Sequence, residues 1–181
     1  MTNIKLNRAL FVAALSIGIA TLSAPTFAGS GHGTEGKTGM PGKASAATRT
    51  IDVTMHDNYY EPESISVKEG ETVHFKVKNA GEFVHEFNIG TGEMHKAHGP
   101  EMMMMVEQGV LMPDHINMEA AKAMQASMGH GMHNDPNSVL LEPGKSGEIV
   151  WTFPEHAKLE FACNVPGHYE SGMVGKIKLS H

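Results

Sequence analysis

The chain has too few cysteines for an internal disulfide, because its 181 residues include only Cys163. Positive charge is also scarce, since 14 Lys and Arg stand against 20 Asp and Glu and give a formal net charge of -6. A nucleic-acid partner held by phosphate neutralisation therefore has no electrostatic support. The length and the 40% hydrophobic content fit one compact domain rather than two large ones.

The N-terminus has the pattern of a secretory signal peptide. Lys5 and Arg8 precede an apolar run over residues 9–22, and Ala28 is a small residue at the expected cleavage position. The run is shorter than the roughly 20 residues that a membrane-spanning helix needs, which favours a cleaved signal peptide over 1–28 rather than an uncleaved anchor. We therefore expect a periplasmic mature chain, without stable membrane insertion, whose net charge is -8 once Lys5 and Arg8 are removed.

Export restricts the environments in which the single thiol can persist. In an oxidising compartment an unpaired cysteine is prone to oxidation or mispairing unless something protects it. Cys163 is therefore expected to be buried, catalytic or bound to a metal.

The mature chain divides into a tail, a strand-rich body and an insertion. Residues 29–49 are rich in Gly, Ser, Thr and Ala, which predicts a flexible tail. From residue 50 apolar and polar residues alternate in short runs separated by turn signals, and no βαβ alternation occurs, which predicts a β-sandwich of antiparallel strands over 50–181. The pattern is interrupted over 91–138, where helices are predicted from Pro100 to about Gly109 and from Asn117 to Met128.

Four side chains of the body are candidate metal ligands. His85, Cys163 and Met173 each share a strand face with apolar residues, so we expect them to point inward. His168 follows Pro166-Gly167 in a turn that presents its imidazole from a loop. Two imidazoles, one thiolate and a weaker thioether suit copper in an electron-transfer site, whereas a thioether adds little for zinc.

Two motifs resemble those of the bacterial cupredoxins. The stretch from Tyr60 to Gly90, with its His85-Glu86-Phe87 ending, is similar to the first half of that family. Phe161-Ala162-Cys163-Asn164-Val165-Pro166-Gly167-His168, followed by Gly172-Met173-Val174-Gly175, resembles the family's C-terminal copper loop. Together the two motifs extend over the strand-rich body on both sides of the insertion.

The resemblance implies an all-β Greek-key β-sandwich with a partly helical insertion, and a type 1 copper that alternates between Cu(II) and Cu(I). It implies that Cys163 supplies a short thiolate bond, that His85 and His168 complete a trigonal plane, and that Met173 is a weak axial ligand. One residue departs from the plastocyanin pattern: Glu86 replaces an Asn whose amide helps to tie the two ligand loops together. An ionised carboxylate cannot donate in that way, so the surroundings of the ligands are expected to differ.

The insertion over 91–138 contains 10 Met and 5 His. Thioethers bind Cu(I) and imidazoles accept Cu(II), which predicts a loose copper-recruiting segment beside the type 1 site. Packing is the alternative, but four consecutive Met on a helix cannot all face one core. The candidate secondary ligands are Met94, His95, His98, Met102, Met103, Met104, Met105, Met112, His115, Met118, Met124, Met128, His130, Met132 and His133.

These features favour a periplasmic cupredoxin that acts in copper tolerance, similar to the copper-tolerance cupredoxins that carry a Met/His-rich segment. Its expected partners are copper ions and a redox or copper-transfer protein. The alternative is a soluble electron carrier between respiratory partners. An enzyme ranks third, because multicopper oxidases need more than one cupredoxin domain, although a weak cuprous oxidase activity stays open.

Overall fold

The computed structural model describes residues 37–128, 132 and 135–181. The predicted signal peptide, the first part of the predicted tail and the candidate ligands His130 and His133 lie outside these residues. No helix within the described part of the chain is long and apolar enough to cross a membrane.

The described residues form ten strands, two α-helices and one short 3-10 helix, Ala44–Ala46. The strands are β1 (Met40–Pro41), β2 (Arg49–His56), β3 (Tyr59–Glu61), β4 (Ser64–Lys68), β5 (Thr72–Asn79), β6 (His85–Gly90), β7 (Ser138–Leu141), β8 (Ser146–Thr152), β9 (Glu160–Ala162) and β10 (Val174–Ser180). The helices are α1 (Gly92–Glu107) and α2 (Met118–Met128), both between β6 and β7.

The strands form two five-stranded sheets, so the predicted β-sandwich with a helical insertion is confirmed. One sheet has the order β1-β8-β5-β2-β3 and the other the order β4-β10-β9-β6-β7. The expectation of antiparallel pairing alone was wrong, because β2 pairs with β5 and β4 pairs with β10 in parallel. Each of these pairs joins strands that are not connected by a hairpin, and alternation along one strand carries no information about the direction of its partner.

Aromatic side chains from both sheets fill the space between them. Phe161 lies between Tyr60 and Phe87, with ring centroids 5.0 and 5.2 Å away, and Phe87 lies 5.5 Å from Phe75. All four are at most 2% exposed, and full burial of one such side chain contributes about 1.5–3 kcal/mol. This core holds β6, which begins with His85, and β9, which ends directly before Cys163.

The predicted tail is wrong for residues 37–49, which are folded onto the sandwich. β1 pairs with β8, and the carbonyl of Thr38 accepts a hydrogen bond of 2.8 Å from the indole nitrogen of Trp151. Gly39 has a φ of 108°, and a Cβ there would collide with the Thr152 carbonyl. Glycine at this point permits a close approach of two backbones rather than flexibility.

The insertion folds around a second, smaller core to which the sandwich contributes Val84. α2 begins within one residue of the prediction, but α1 begins at Gly92 instead of Pro100, which lies inside the helix. Thr91 caps α1 by accepting a hydrogen bond of 3.2 Å from the Met94 nitrogen. The insertion core consists of Val84, Met102, Met105, Val110, Leu111, Ala121 and Met124.

Candidate metal centre

Three chain segments bring the candidate ligands to one end of the sandwich. His85 begins β6, Cys163 follows β9, and His168 lies in the loop before β10. The loop is closed by backbone hydrogen bonds from Cys163 to the Met173 carbonyl, 3.2 Å, and from Met173 to the His168 carbonyl, 3.0 Å. Gly167 and Gly172 have φ values of 88° and 95°, which glycine adopts without strain, and so permit the tight turns of this loop.

The donor atoms of three predicted ligands converge. The Nδ1 atoms of His85 and His168 lie 3.9 and 3.3 Å from the Cys163 sulfur and 3.2 Å from each other. Metal bonds of about 2.0–2.3 Å in a trigonal plane would separate such donors by about 3.5–4 Å. The three side chains therefore fit one metal ion, and a thiolate with two imidazoles suits copper.

Met173, the predicted fourth ligand, is wholly buried directly beside this group. Its backbone bonds both Cys163 and His168, as described above, and its side chain belongs to the same core as Cys163 and Phe161. The loop thus fixes the position of Met173 relative to two other candidate ligands.

Burial controls the protonation of the donors. It raises the pKa of the Cys163 thiol to about 12, although the backbone N–H of Glu86 points at the sulfur from 3.3 Å and favours the thiolate. Burial and the neighbouring His85 lower the pKa of His168. The imidazole is therefore neutral near pH 7 and its nitrogen is available to a metal, whose charge would compensate the buried thiolate.

Asp57, which no sequence pattern indicated, orients His85. Its Oδ1 lies 2.8 Å from His85 Nε2, so His85 presents Nδ1 to the site. Burial raises the pKa of Asp57, but hydrogen bonds from His85 and from the backbone of Glu82 and Phe83 outweigh it and hold the pKa below its usual value. A Cβ on Gly81 would collide with this contact, which explains a glycine at that position.

Glu86 joins the two ligand segments as an acceptor instead of a donor. Its carboxylate receives hydrogen bonds from the side-chain and backbone nitrogens of Asn164, at 2.7 and 3.3 Å, and from the Asn88 side chain at 3.2 Å. The expected departure from the plastocyanin pattern therefore preserves a link between the segments that carry His85 and Cys163. Burial raises the pKa of Glu86, but His98 and the two amides outweigh burial and hold this pKa below its usual value, so the carboxylate is ionised.

Two histidines of α1 complete this network. His98 Nε2 lies 3.7 Å from Glu86, and although burial lowers its pKa, Glu86 and Glu101 raise it to about 9. His95 Nδ1 lies 3.2 Å from Asn164 Oδ1, and its ring packs 5.8 Å from that of Tyr169. Through these two histidines α1 packs directly on the residues next to the ligands.

The other candidate ligands of the insertion differ in burial, and several of the methionines pack together in the insertion core. Among the described residues, no insertion histidine shares a cluster of three or more His, Cys, Asp or Glu donors within 4.8 Å. The buried candidates are His95, Met102, Met105 and Met124; the half-buried ones are Met94, His98, Met104 and Met132; the exposed ones are Met103, Met112, His115, Met118 and Met128. Packing therefore explains the three buried methionines, and the exposed thioethers need another reason.

Comparisons with known proteins identify the family of the chain. A family model described as a cupredoxin-like domain matches residues 13–101, which include His85. Copper-resistant cuproprotein CopI of Pseudomonas aeruginosa PAO1 is 47% identical over 149 residues, 77% of this chain and 80% of that protein. The protein of the same name from Rubrivivax gelatinosus is 42% identical over 147 residues, 81% of this chain and 75% of that protein.

A solved structure supports the fold. Reduced auracyanin from Roseiflexus castenholzii has a TM-score of 0.51 over 75% of this chain and 99% of its own, at 22% identity.

Proposed function

Because the chain belongs to the cupredoxin family, we propose that it binds copper through His85, Cys163, His168 and Met173 and acts in copper tolerance in the periplasm. The observation that carries the proposal is the convergence of one cysteine sulfur and two imidazole nitrogens within 4.8 Å in a buried site. The name of its relatives, copper-resistant cuproprotein, supports the same process.

The protein's own residues prepare the site for the metal. Asp57 fixes the ring of His85, and the Glu86 N–H faces the Cys163 sulfur. Cys163 and Met173 are fully buried, which excludes water and oxidants from the sulfur atoms, whereas His168 is partly exposed. Copper bound there supplies one-electron chemistry between Cu(II) and Cu(I).

The insertion has two roles in this proposal. Its buried methionines hold the helices against the site, while Met103, Met112, Met118 and Met128 keep their thioethers at the surface. Exposed thioethers are soft donors for Cu(I) and are not needed for packing. We expect these four residues to recruit copper ions in addition to the one at the type 1 site.

The N-terminal sequence supports periplasmic localisation. Residues 1–28 have the pattern of a secretory signal peptide, and Cys163 is buried without a disulfide partner, as an exported thiol requires. Cell fractionation of the tagged protein tests this point. The mature chain is expected in the periplasmic fraction, with the mass of a chain that starts after about Ala28.

Growth on copper tests the main proposal. A deletion strain complemented with the natural chain should tolerate copper, and one complemented with Cys163→Ala should not. A variant with Met103, Met112, Met118 and Met128 all replaced by Leu should keep the type 1 copper and its thiolate absorption but show partial tolerance. His74→Gln, on the outer face of the sandwich, is the matched control, and equal tolerance in all strains would refute the proposal.

Electron transfer is a second candidate function, favoured by the surface beside His168. An open groove next to this partly exposed imidazole is lined by Met103, Pro166, Gly167 and Tyr169, among others. A redox partner seated there would be close to the site. Stopped-flow mixing with a reduced cytochrome c distinguishes the functions: rapid oxidation of the cytochrome, slowed by Met103→Glu, supports a carrier, and no exchange excludes this role with that cytochrome.

A further inference from the structure

A second group of metal-ligating side chains lies at the other end of the sandwich. β10 runs from Val174, directly after the copper loop, to Ser180, a length of about 20 Å. At its far end Glu69, His156 and His181 come together from three separate segments of the chain. None of these residues takes part in the type 1 site.

The donor atoms of this group already face one another. His156 Nδ1 lies 3.2 Å from one oxygen of Glu69, and His181 Nδ1 lies 2.7 Å from the other. The two imidazole rings are 5.3 Å apart and inclined by 62°. One nitrogen from each ring and a carboxylate oxygen all lie within 4.8 Å of one another, the same limit that holds for the two nitrogens and the sulfur of the type 1 site.

The backbone fixes this arrangement. The Glu69 nitrogen donates to the Ser180 carbonyl at 2.8 Å, which places Glu69 beside the end of β10 and hence beside His181. The backbone N–H of His156 donates to the Glu69 carboxylate at 2.8 Å, and His156 has a φ of 54°, which residues other than glycine seldom adopt. The fold therefore holds all three residues at one place.

We propose that Glu69, His156 and His181 bind a divalent transition-metal ion, foremost Cu(II). Two imidazoles and a carboxylate are borderline and hard donors, which suit Cu(II) or Zn(II), and Cu(II) binds such sites more tightly than Zn(II). The group contains no sulfur, so it does not favour Cu(I). It is therefore complementary to the thioethers of the insertion and independent of the function proposed for the type 1 site.

The ligands can take up the ion without refolding. The side chains of His156 and His181 are 73% and 80% exposed, so water can carry the ring proton from Nδ1 to Nε2 and leave Nδ1 free to coordinate. The His156 N–H is the main reason that the pKa of Glu69 lies below its usual value, and both imidazoles lower it further, so the carboxylate is ionised at neutral pH. Two other pairs, the half-buried His74 with Glu148 and the exposed His115 with Asp114, offer one imidazole each and serve as internal controls.

Paramagnetic broadening in NMR spectra tests the proposal. Cu(II) is added in substoichiometric amounts to the full mature chain with its type 1 site already loaded. The ring protons of His156 and His181 should broaden before those of His74. Equal or later broadening of the His156 and His181 signals would overturn the assignment.

Metal counting provides a second measurement on the same protein. After equilibrium dialysis against Cu(II), the double variant His156→Gly/His181→Gln should hold one copper fewer than the natural chain. The control double variant His74→Gln/His115→Gln should keep the copper bound by Glu69, His156 and His181. The thiolate absorption should be equal in all three, which separates this site from the type 1 site. The same copper count in the natural chain and in the His156/His181 variant would refute the proposal.

Discussion

The sandwich and the insertion bury their apolar side chains in different ways. The sandwich core is built around packed aromatic rings, with Phe161 held between Tyr60 and Phe87. The insertion core depends on Met102, Met105 and Met124, whose unbranched side chains adapt to irregular gaps. The candidate metal centre lies where the two meet, because one face of β6 packs on the aromatic core and Glu86 on its other face bonds to α1. A rigid core thus fixes the ligands, and an adaptable one holds α1 against the residues beside them.

The largest effect is expected from Phe161→Ala. The ring packs against Tyr60, Phe87 and the backbone of Gly175, so its loss leaves a cavity that few neighbours can fill. The free energy of unfolding should fall by about 3–5 kcal/mol, measured by urea denaturation. Phe83→Ala, at a site that is 45% exposed, is the control and should cost far less. Similar losses for both variants would contradict the rigid aromatic core.

Substitutions of Met102 test whether the methionine core of the insertion is adaptable. Met102→Ala should destabilise the protein by about 2–4 kcal/mol, because the side chain is 1% exposed, but Met102→Leu should cost less than about 1.5 kcal/mol. The adjacent and exposed Met103 gives the matched control, for which Met103→Ala should change stability by no more than about 0.5 kcal/mol. A Leu variant as unstable as the Ala variant would show that this core is as specific as the aromatic one.

The ion pair between Glu86 and His98 makes the junction pH dependent. The pKa of His98 is about 9 in the folded chain and about 6.5 when unfolded, so its contribution is complete below pH 6.5 and declines as the pH rises to 9. The loss should reach at most about 3 kcal/mol. Urea unfolding of the natural chain at pH 6 and 9.5 measures it, and His98→Gln should show a smaller difference. An unchanged pH dependence in that variant would exclude the ion pair as its cause.

The smallest effect concerns the start of the insertion. Thr91→Ala removes the side-chain acceptor for the Met94 N–H and should cost about 1 kcal/mol, whereas Thr91→Ser should retain the cap. Hydrogen exchange should show faster opening of the first turn of α1, with the amides of β5 unaffected. Equal exchange in the Ala and Ser variants would show that the cap does not hold this end of the insertion.

Local patterns in the sequence predicted what depends on near neighbours. The alternation of apolar and polar residues from residue 50 predicted short strands such as β5, and the motif around Cys163 indicated residues that the fold does bring together. Asp57 could not be found in this way, because 28 residues separate it from His85 and only the folded chain joins them. The start of α1 did have a signal, Thr91 followed by Glu93, but Pro100 resembled a first helical residue more strongly.

For the expected tail, the sequence predicted flexibility where the chain is in fact folded. Composition alone cannot distinguish a glycine that allows motion from one such as Gly39, which is required because a second strand approaches too closely for a Cβ. The composition of residues 37–49 therefore predicts flexibility, whereas in the fold Thr38 accepts a hydrogen bond from Trp151 and Met40 pairs with Thr152 of β8.

The reversed hydrogen bonding at Glu86 limits how this metal centre can be transplanted by protein engineering. A loop graft carrying residues 163–173 into another β-sandwich would bring the amide of Asn164 but not the carboxylate that receives it. Supplying Glu86 alone would then bury a negative charge without the cation that His98 contributes from α1. A working chimera therefore has to carry the loop, the first half of β6 and the first half of α1 as one unit.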